Sequence, residues 1–298
     1  MSGVMTVAGR VPAAQLGVGL FGERLVARQS VPRPKRASDS AFYDEKVALP
    51  ILGDLMMGRP NRDDAVLEPE HAATELTRYA QAGGGFVVDI TAVDEGRDLD
   101  ALRRLSARTG VHIIAASTEA DDDCGVVAIP AQAGERARRA AFDAALSADG
   151  PVMLDAAGAD ITRLADDALE RGLAPERIAL HRLAASTAAV DELPALAAAG
   201  IYLLFDGLGR IPTVRTMVSD HEIGTVIARI IGAGAGDRIL LGAGLNRKHA
   251  FTAFGGNGLA FVPGQFVGYL QMLGVTTAQA QRIVTTNAHE FLGGKDAA

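Results

Sequence analysis

Short apolar runs alternate along this chain with stretches whose apolar side chains recur at helical spacing. Runs with no polar residue at every second position are expected of strands covered on both faces, as in a parallel sheet flanked by helices. Eight such runs occupy residues 16–22, 86–91, 111–116, 125–129, 151–155, 178–183, 202–206 and 238–242. Between them, residues 68–82, 98–108, 133–148, 161–171, 190–199 and 219–233 read as helices. The triplet Gly83, Gly84 and Gly85 ends the first of these helices. Two prolines within a charge cluster make residues 31–40 a loop. Eight strand–helix alternations over 298 residues predict one (β/α)8 barrel domain, with its core from about Leu16 to Leu292. A doubly wound open sheet is the competing architecture, and no strand–Gly-x-Gly-x-x-Gly–helix fingerprint supports it.

Composition narrows the function classes. Apolar residues make up 48% and charged residues 22%, which suits a chain that buries a sizeable core. A net charge of −7 argues against a nucleic-acid partner, because phosphate binding needs a basic surface. No apolar stretch approaches the length of a membrane span, and residues 1–12 lack the basic start and apolar core of a secretory signal. The lone Cys124 forms no internal disulfide, so a cytoplasmic location is the expectation. Lysine is confined to Lys35, Lys46, Lys248 and Lys295, which thins the field for Schiff-base chemistry.

A barrel of this kind builds its site at the carboxyl ends of its strands. The residues there are polar: Glu23 and Arg24 after the first, Asp89 and then Arg97 after the second, and Asp155 after the fifth. His181 and Arg182 end the sixth, Asp206 the seventh, and Asn246 and Arg247 follow the eighth. Each has a plainer reading. A lone histidine beside an apolar run is as readily a hydrogen-bonded core residue, an aspartate after a strand is often a helix cap, and Arg182 can simply face solvent. Convergence from six strands favours a site. Its catalytic candidates are His181, Asp155 and Asp206, and its substrate-binding candidates Arg24, Glu23, Arg97, Asn246 and Arg247.

At these positions the chain resembles the phosphotriesterase family of the amidohydrolase superfamily. The likeness is carried by Leu16 to Leu20, by Gly83 to Thr91 with Gly96, Arg97 and Asp98, and by Thr109 to Ile113. It continues through Phe205, Asp206, Gly207, Leu208 and Gly209, then Asp237 to Leu241, then Gly255 to Gly258 and on to Gly274 and Val275. The resemblance implies a barrel that hydrolyses phosphotriesters, lactones or related esters with two divalent metals. It also implies ligands from a His-x-His pair, a carboxylated lysine or a glutamate, two later histidines and an aspartate. In this sequence the His-x-His falls on Gly22, Glu23 and Arg24, and the bridging ligand falls near Ile129 and Pro130. The fifth-strand histidine falls on Asp155 and the eighth-strand aspartate on Gly244 or Ala243. Only His181 matches.

A catalytic zinc keeps about three protein ligands, so this set predicts a site with no metal and no cofactor. Three readings stay open. The first is a metal-independent enzyme in which His181 and Asp155 exchange protons with a small anionic substrate that Arg24 or Arg97 clamps. The second is a non-catalytic barrel that binds a ligand or partner, and the third a metal-dependent ester, lactone or phosphotriester hydrolase whose ligands stand elsewhere. His181 and Asp155 are expected within hydrogen-bond reach, with an arginine beside them. A homodimer is also expected, with residues 251–266 lining its interface or a lid.

Overall fold

The computed structural model describes residues 3–36, 39–118, 123–183 and 190–294. Eight strands form one parallel sheet in chain order: β1 (Val18–Glu23), β2 (Gly84–Asp89), β3 (His112–Ser117), β4 (Val126–Ile129), β5 (Val152–Asp155), β6 (Ile178–His181), β7 (Tyr202–Phe205) and β8 (Ile239–Leu241). Each strand pairs with the next, and β8 comes back beside β1, so the sheet curls into a nearly closed barrel. The expected (β/α)8 architecture is the one found. Six helices cover it: α1 (Pro69–Gln81), α2 (Leu99–Thr109), α3 (Glu135–Ala148), α4 (Ile161–Glu170), α5 (Leu193–Ala198) and α6 (Asp220–Gly232). Their starts are chemically marked. Asp98 caps α2 by accepting from Ala101 N, and Ser219 and Glu222 cap α6 reciprocally.

Strand alternation sorts the core into two shells. Leu20, Val87, Ile113, Leu154, Leu180 and Leu203 point outward beneath the helices, whereas Phe21, Phe86, Ile114, Met153, Ala179 and Leu204 fill the barrel. Gly19 makes this filling possible, since a Cβ there would sit 1.9 Å from the Phe86 ring. Phe21 meets Phe86 edge-on at 5.7 Å and Phe291 at 5.8 Å, so the C-terminal helix Thr286–Gly293 plugs the amino end of the barrel. The hairpin Val4–Thr6 and Gly9–Val11 lies at that end as well, with Val7 N donating to Ile113 O. Its three-residue strands are too short to show alternation in the sequence. Within residues 251–266, Phe251, Leu259, Val262 and Phe266 enter the shell beneath the helices. No helix among the described residues is long and apolar enough to cross a membrane.

Closure between β8 and β1 is tight. A Cβ on Gly242 would lie 1.9 Å from the backbone oxygen of Phe21, which cannot move without breaking β1. Gly242→Ala is therefore expected to lower stability by about 1–3 kcal/mol, read as a reduced urea midpoint with an unchanged slope. A midpoint equal to that of the parent would show that the two strands separate freely.

Candidate active site at the carboxyl ends of the strands

The inward phase of β5, β6 and β7 continues one step past the apolar filling into Asp155, His181 and Asp206. Asp155 and His181 are register partners on adjacent strands. The carboxylate that meets the imidazole is nevertheless that of Asp206, whose Oδ2 lies 3.5 Å from His181 Nδ1. Asp155 goes elsewhere: its Oδ2 receives Arg182 Nη1 at 2.8 Å and its Oδ1 receives Ala157 N at 3.0 Å. Arg182 decides this arrangement. Its φ of 59° is uncommon for a residue with a side chain, and it turns the Arg182 amide onto Asp206 Oδ1 at 3.0 Å while the guanidinium reaches Asp155. The arginine beside the pair is thus Arg182. Arg24, expected there, extends to Glu95 instead, with Nε 2.8 Å from Oε2.

His181 is only 4% exposed, and its Nε2 makes no hydrogen bond among the described residues. With φ at 82° and no side chain, Gly22 sits where an added Cβ would come within 3.4 Å of Asp206 Oδ2. The strand ends therefore present an imidazole facing one carboxylate and a second carboxylate held by a guanidinium. Such a pair can take and return a proton when the ring's second nitrogen faces a substrate.

The remaining candidates separate. Glu23 is fully buried, and its Oε1 accepts from Ala243 N at 2.7 Å and Gly244 N at 3.3 Å, its Oε2 from Leu245 N at 2.7 Å. Expected to touch substrate, it closes the barrel wall between β1 and β8 instead. Burial pushes its carboxyl up to about 8, the three N–H groups opposing. Asp89 is also fully buried, accepting from Leu25 N and Thr91 N, and burial raises its pKa. Arg97 donates to Ala116 O at 2.8 Å and to Cys124 Sγ at 3.5 Å. Arg247 donates to Gln29 Oε1 at 2.5 Å, while Asn246 contributes its backbone oxygen to Gln29 Nε2 at 2.6 Å. Burial depresses the Arg247 pKa, and the nearby charge of Arg24 adds to the effect. Gln29, which holds Arg247, carries no motif in the sequence, and Glu95, in the polar turn after β2, gives no sign there of its partner Arg24. Only long-range folding brings them to the mouth.

The donor set does not fit a two-metal centre. Among the described residues no three of His, Cys, Asp and Glu stand where they could hold one ion. Both oxygens of Glu23 are taken by backbone N–H groups, Asp155 is paired with Arg182, and Gly22 and Gly244 offer no donor atom.

Comparison with known proteins places this geometry. A sequence model of the phosphotriesterase family matches residues 2–140 and 151–292. An N-acetyltaurine hydrolase from Tetraodon nigroviridis is 27% identical over 97% of both chains. A phosphotriesterase-related protein from Drosophila grimshawi is 24% identical over 98% of this chain and 99% of its own. Among solved structures, a resiniferatoxin-binding protein from Rhodobacter sphaeroides superposes with a TM-score of 0.87 at 24% identity, covering 97% of this chain and 94% of that one. A lactonase from Listeria monocytogenes superposes with a TM-score of 0.76 at 16% identity over 99% of this chain and 100% of its own. The match along nearly the whole length, carried by the same barrel, means that this chain belongs to the phosphotriesterase family.

Proposed function

We propose that the chain is a cytoplasmic hydrolase of small anionic acyl compounds that works by imidazole–carboxylate acid–base chemistry, without the two-metal centre of its family. The observation that carries this reading is His181, which faces Asp206 through Nδ1 and makes no hydrogen bond at Nε2 among the described residues. In this scheme Nε2 takes a proton from water as the water oxygen bonds to the acyl carbon. The imidazolium then gives the proton to the departing oxygen or nitrogen. Asp206 holds the ring and faces the positive charge that forms on it, and Arg182 keeps Asp155 neutralised alongside. The relative at 27% identity is named for hydrolysis of N-acetyltaurine, an amide whose other end is a sulfonate. Arg182, half exposed, and Arg247 are the guanidinium groups suited to such a charge.

One observation favours a second reading, a barrel that binds without catalysis. The carboxylates of Glu23 and Asp155 already have full sets of partners, as in a wall built for stability. Chelation separates these readings from metal-dependent hydrolysis. Protein dialysed exhaustively against a strong chelator is expected to hydrolyse N-acetyltaurine as fast as untreated protein. Loss of turnover restored by zinc or manganese would make it a metal-dependent hydrolase, and saturable binding with no turnover would make it a binder.

A further inference from the structure

Asp64 and His249 form a second imidazole–carboxylate pair, which the chemistry above leaves unused. His249 lies in the 3-10 turn Lys248–Ala250 that follows β8, at the same end of the barrel as His181. Asp64 comes from the segment between Asn61 and the short strand Val66–Leu67. The two are locked together. Lys248 N donates to Asp64 O at 2.9 Å, His249 N donates to Asp64 Oδ1 at 2.9 Å, and His249 Nδ1 lies 2.9 Å from both carboxylate oxygens. Asn61 holds the Asp64 backbone in turn, its Oδ1 accepting from Asp64 N while its Nδ2 donates to Phe42 O and Glu45 O.

This geometry selects a tautomer. A carboxylate only accepts, so the ring nitrogen facing both of its oxygens carries the hydrogen, and the lone pair of the neutral ring is on Nε2. Nε2 makes no hydrogen bond among the described residues, and the side chain is 22% exposed, against 8% for Asp64. The charged groups around the pair are accounted for. Asp63 takes Lys248 at 3.1 Å and Lys46 at 2.8 Å, Arg247 is held by Gln29, and Arg24 by Glu95. The family likeness supplies no role for a histidine at this position.

We propose that His249, held by Asp64, is a second proton-transfer centre at the barrel mouth. As water attacks an acyl carbon, its O–H bond breaks and the proton passes to Nε2. When the bond from that carbon to the leaving oxygen or nitrogen breaks, the imidazolium returns the proton to it, so one water is consumed and the ring is regenerated. The proposal rests on the reading above only for the place and acyl character of the substrate.

The test is the pH–rate profile for p-nitrophenyl acetate hydrolysis by the full chain, for the parent and for His249→Asn, Asp64→Asn, His181→Asn and the double variant His181→Asn/His249→Asn. In the His181→Asn background, His249→Asn is expected to lower kcat/KM about 10²-fold. His181→Asn should keep a pH-dependent rate, and the double variant should lose it. Asp64→Asn should lower the rate as His249→Asn does, because the tautomer is no longer fixed, while its thermal midpoint stays near the parent's. A merely structural pair would shift the midpoint and leave the profile alone, and that result overturns the proposal. So does a parent rate no higher than that of free imidazole at equal concentration. If His181→Asn removes all activity and His249→Asn none, this inference fails and the His181 reading stands; the reverse leaves this one standing alone. Should His249→Asn fail to fold, diethylpyrocarbonate labelling decides: acylation of His249 should abolish the rate that survives in His181→Asn, and a rate unchanged by it refutes the proposal.

Discussion

Replacing Glu23 by alanine is expected to lower the stability of the barrel by about 3–5 kcal/mol, since it leaves three buried N–H groups without an acceptor. Ala243, Gly244 and Leu245 carry those groups, and the Glu23 carboxyl group joins them to β1 where β8 returns to it. Amide exchange at these three positions should accelerate before the rest of β8 is affected. The same residue sets a pH dependence. Its folded-state pKa of about 8 stands above the ordinary 4.5, so between those values the folded protein holds a proton that the unfolded chain has released. Its contribution is full below about pH 4.5 and is lost progressively as the pH rises to about 8. Glu23→Gln keeps an acceptor oxygen for Ala243 and Gly244 but cannot titrate. It should flatten that window in urea titrations at pH 5, 6, 7 and 8, and a Gln variant with the parent's slope would place the titrating group elsewhere.

The barrel was legible because its strands are buried on both faces. Runs such as residues 151–155 and 202–206 carry no alternation, and the strands found there, Val152–Asp155 and Tyr202–Phe205, differ from the runs by one terminal residue. The helix expected at 68–82 is the observed Pro69–Gln81, because Pro69 opens it and Gly83, with φ at 92°, follows its end. What stayed hidden depends on neighbours far away in the chain. Glu23 reads as a polar residue at a strand tip, and only the return of β8, some 220 residues later, makes it part of the wall. Arg24 likewise pairs across 71 residues with Glu95.

The site was legible as a set of strand ends and not as a set of pairs. Sequence order puts Asp155 and His181 on adjacent strands, and the register does place them side by side. Which carboxylate meets the ring is decided by the left-handed turn at Arg182, a backbone state that nothing in the arginine itself announces. Once the Arg182 amide binds Asp206 and its guanidinium takes Asp155, His181 is left facing Asp206. The pairing of Asp64 with His249 spans 185 residues and was equally invisible.

Under the proposed function, changing His181 to asparagine is expected to reduce kcat for hydrolysis of an anionic acyl substrate by about 10²–10⁴-fold. Asparagine keeps a polar atom near the Nδ1 position but neither takes nor returns a proton in this pH range. The contact it disturbs is a long one, 3.5 Å to Asp206, so stability should change by only about 1 kcal/mol. Asp206→Asn tests the orientation separately. It retains an oxygen for the Arg182 amide, so the left-handed turn survives, while the imidazole loses the charge that stabilises its protonated form. That variant should lose kcat with KM nearly unchanged. Arg182→Ala should do the opposite at first approach, raising KM by removing a guanidinium that can meet the substrate's charge, while Asp155 loses its partner and the barrel is weakened. The decisive measurement is the steady-state rate of His181→Asn over a range of pH. A kcat and profile equal to the parent's would remove His181 from the chemistry and leave the imidazole as part of the barrel's filling.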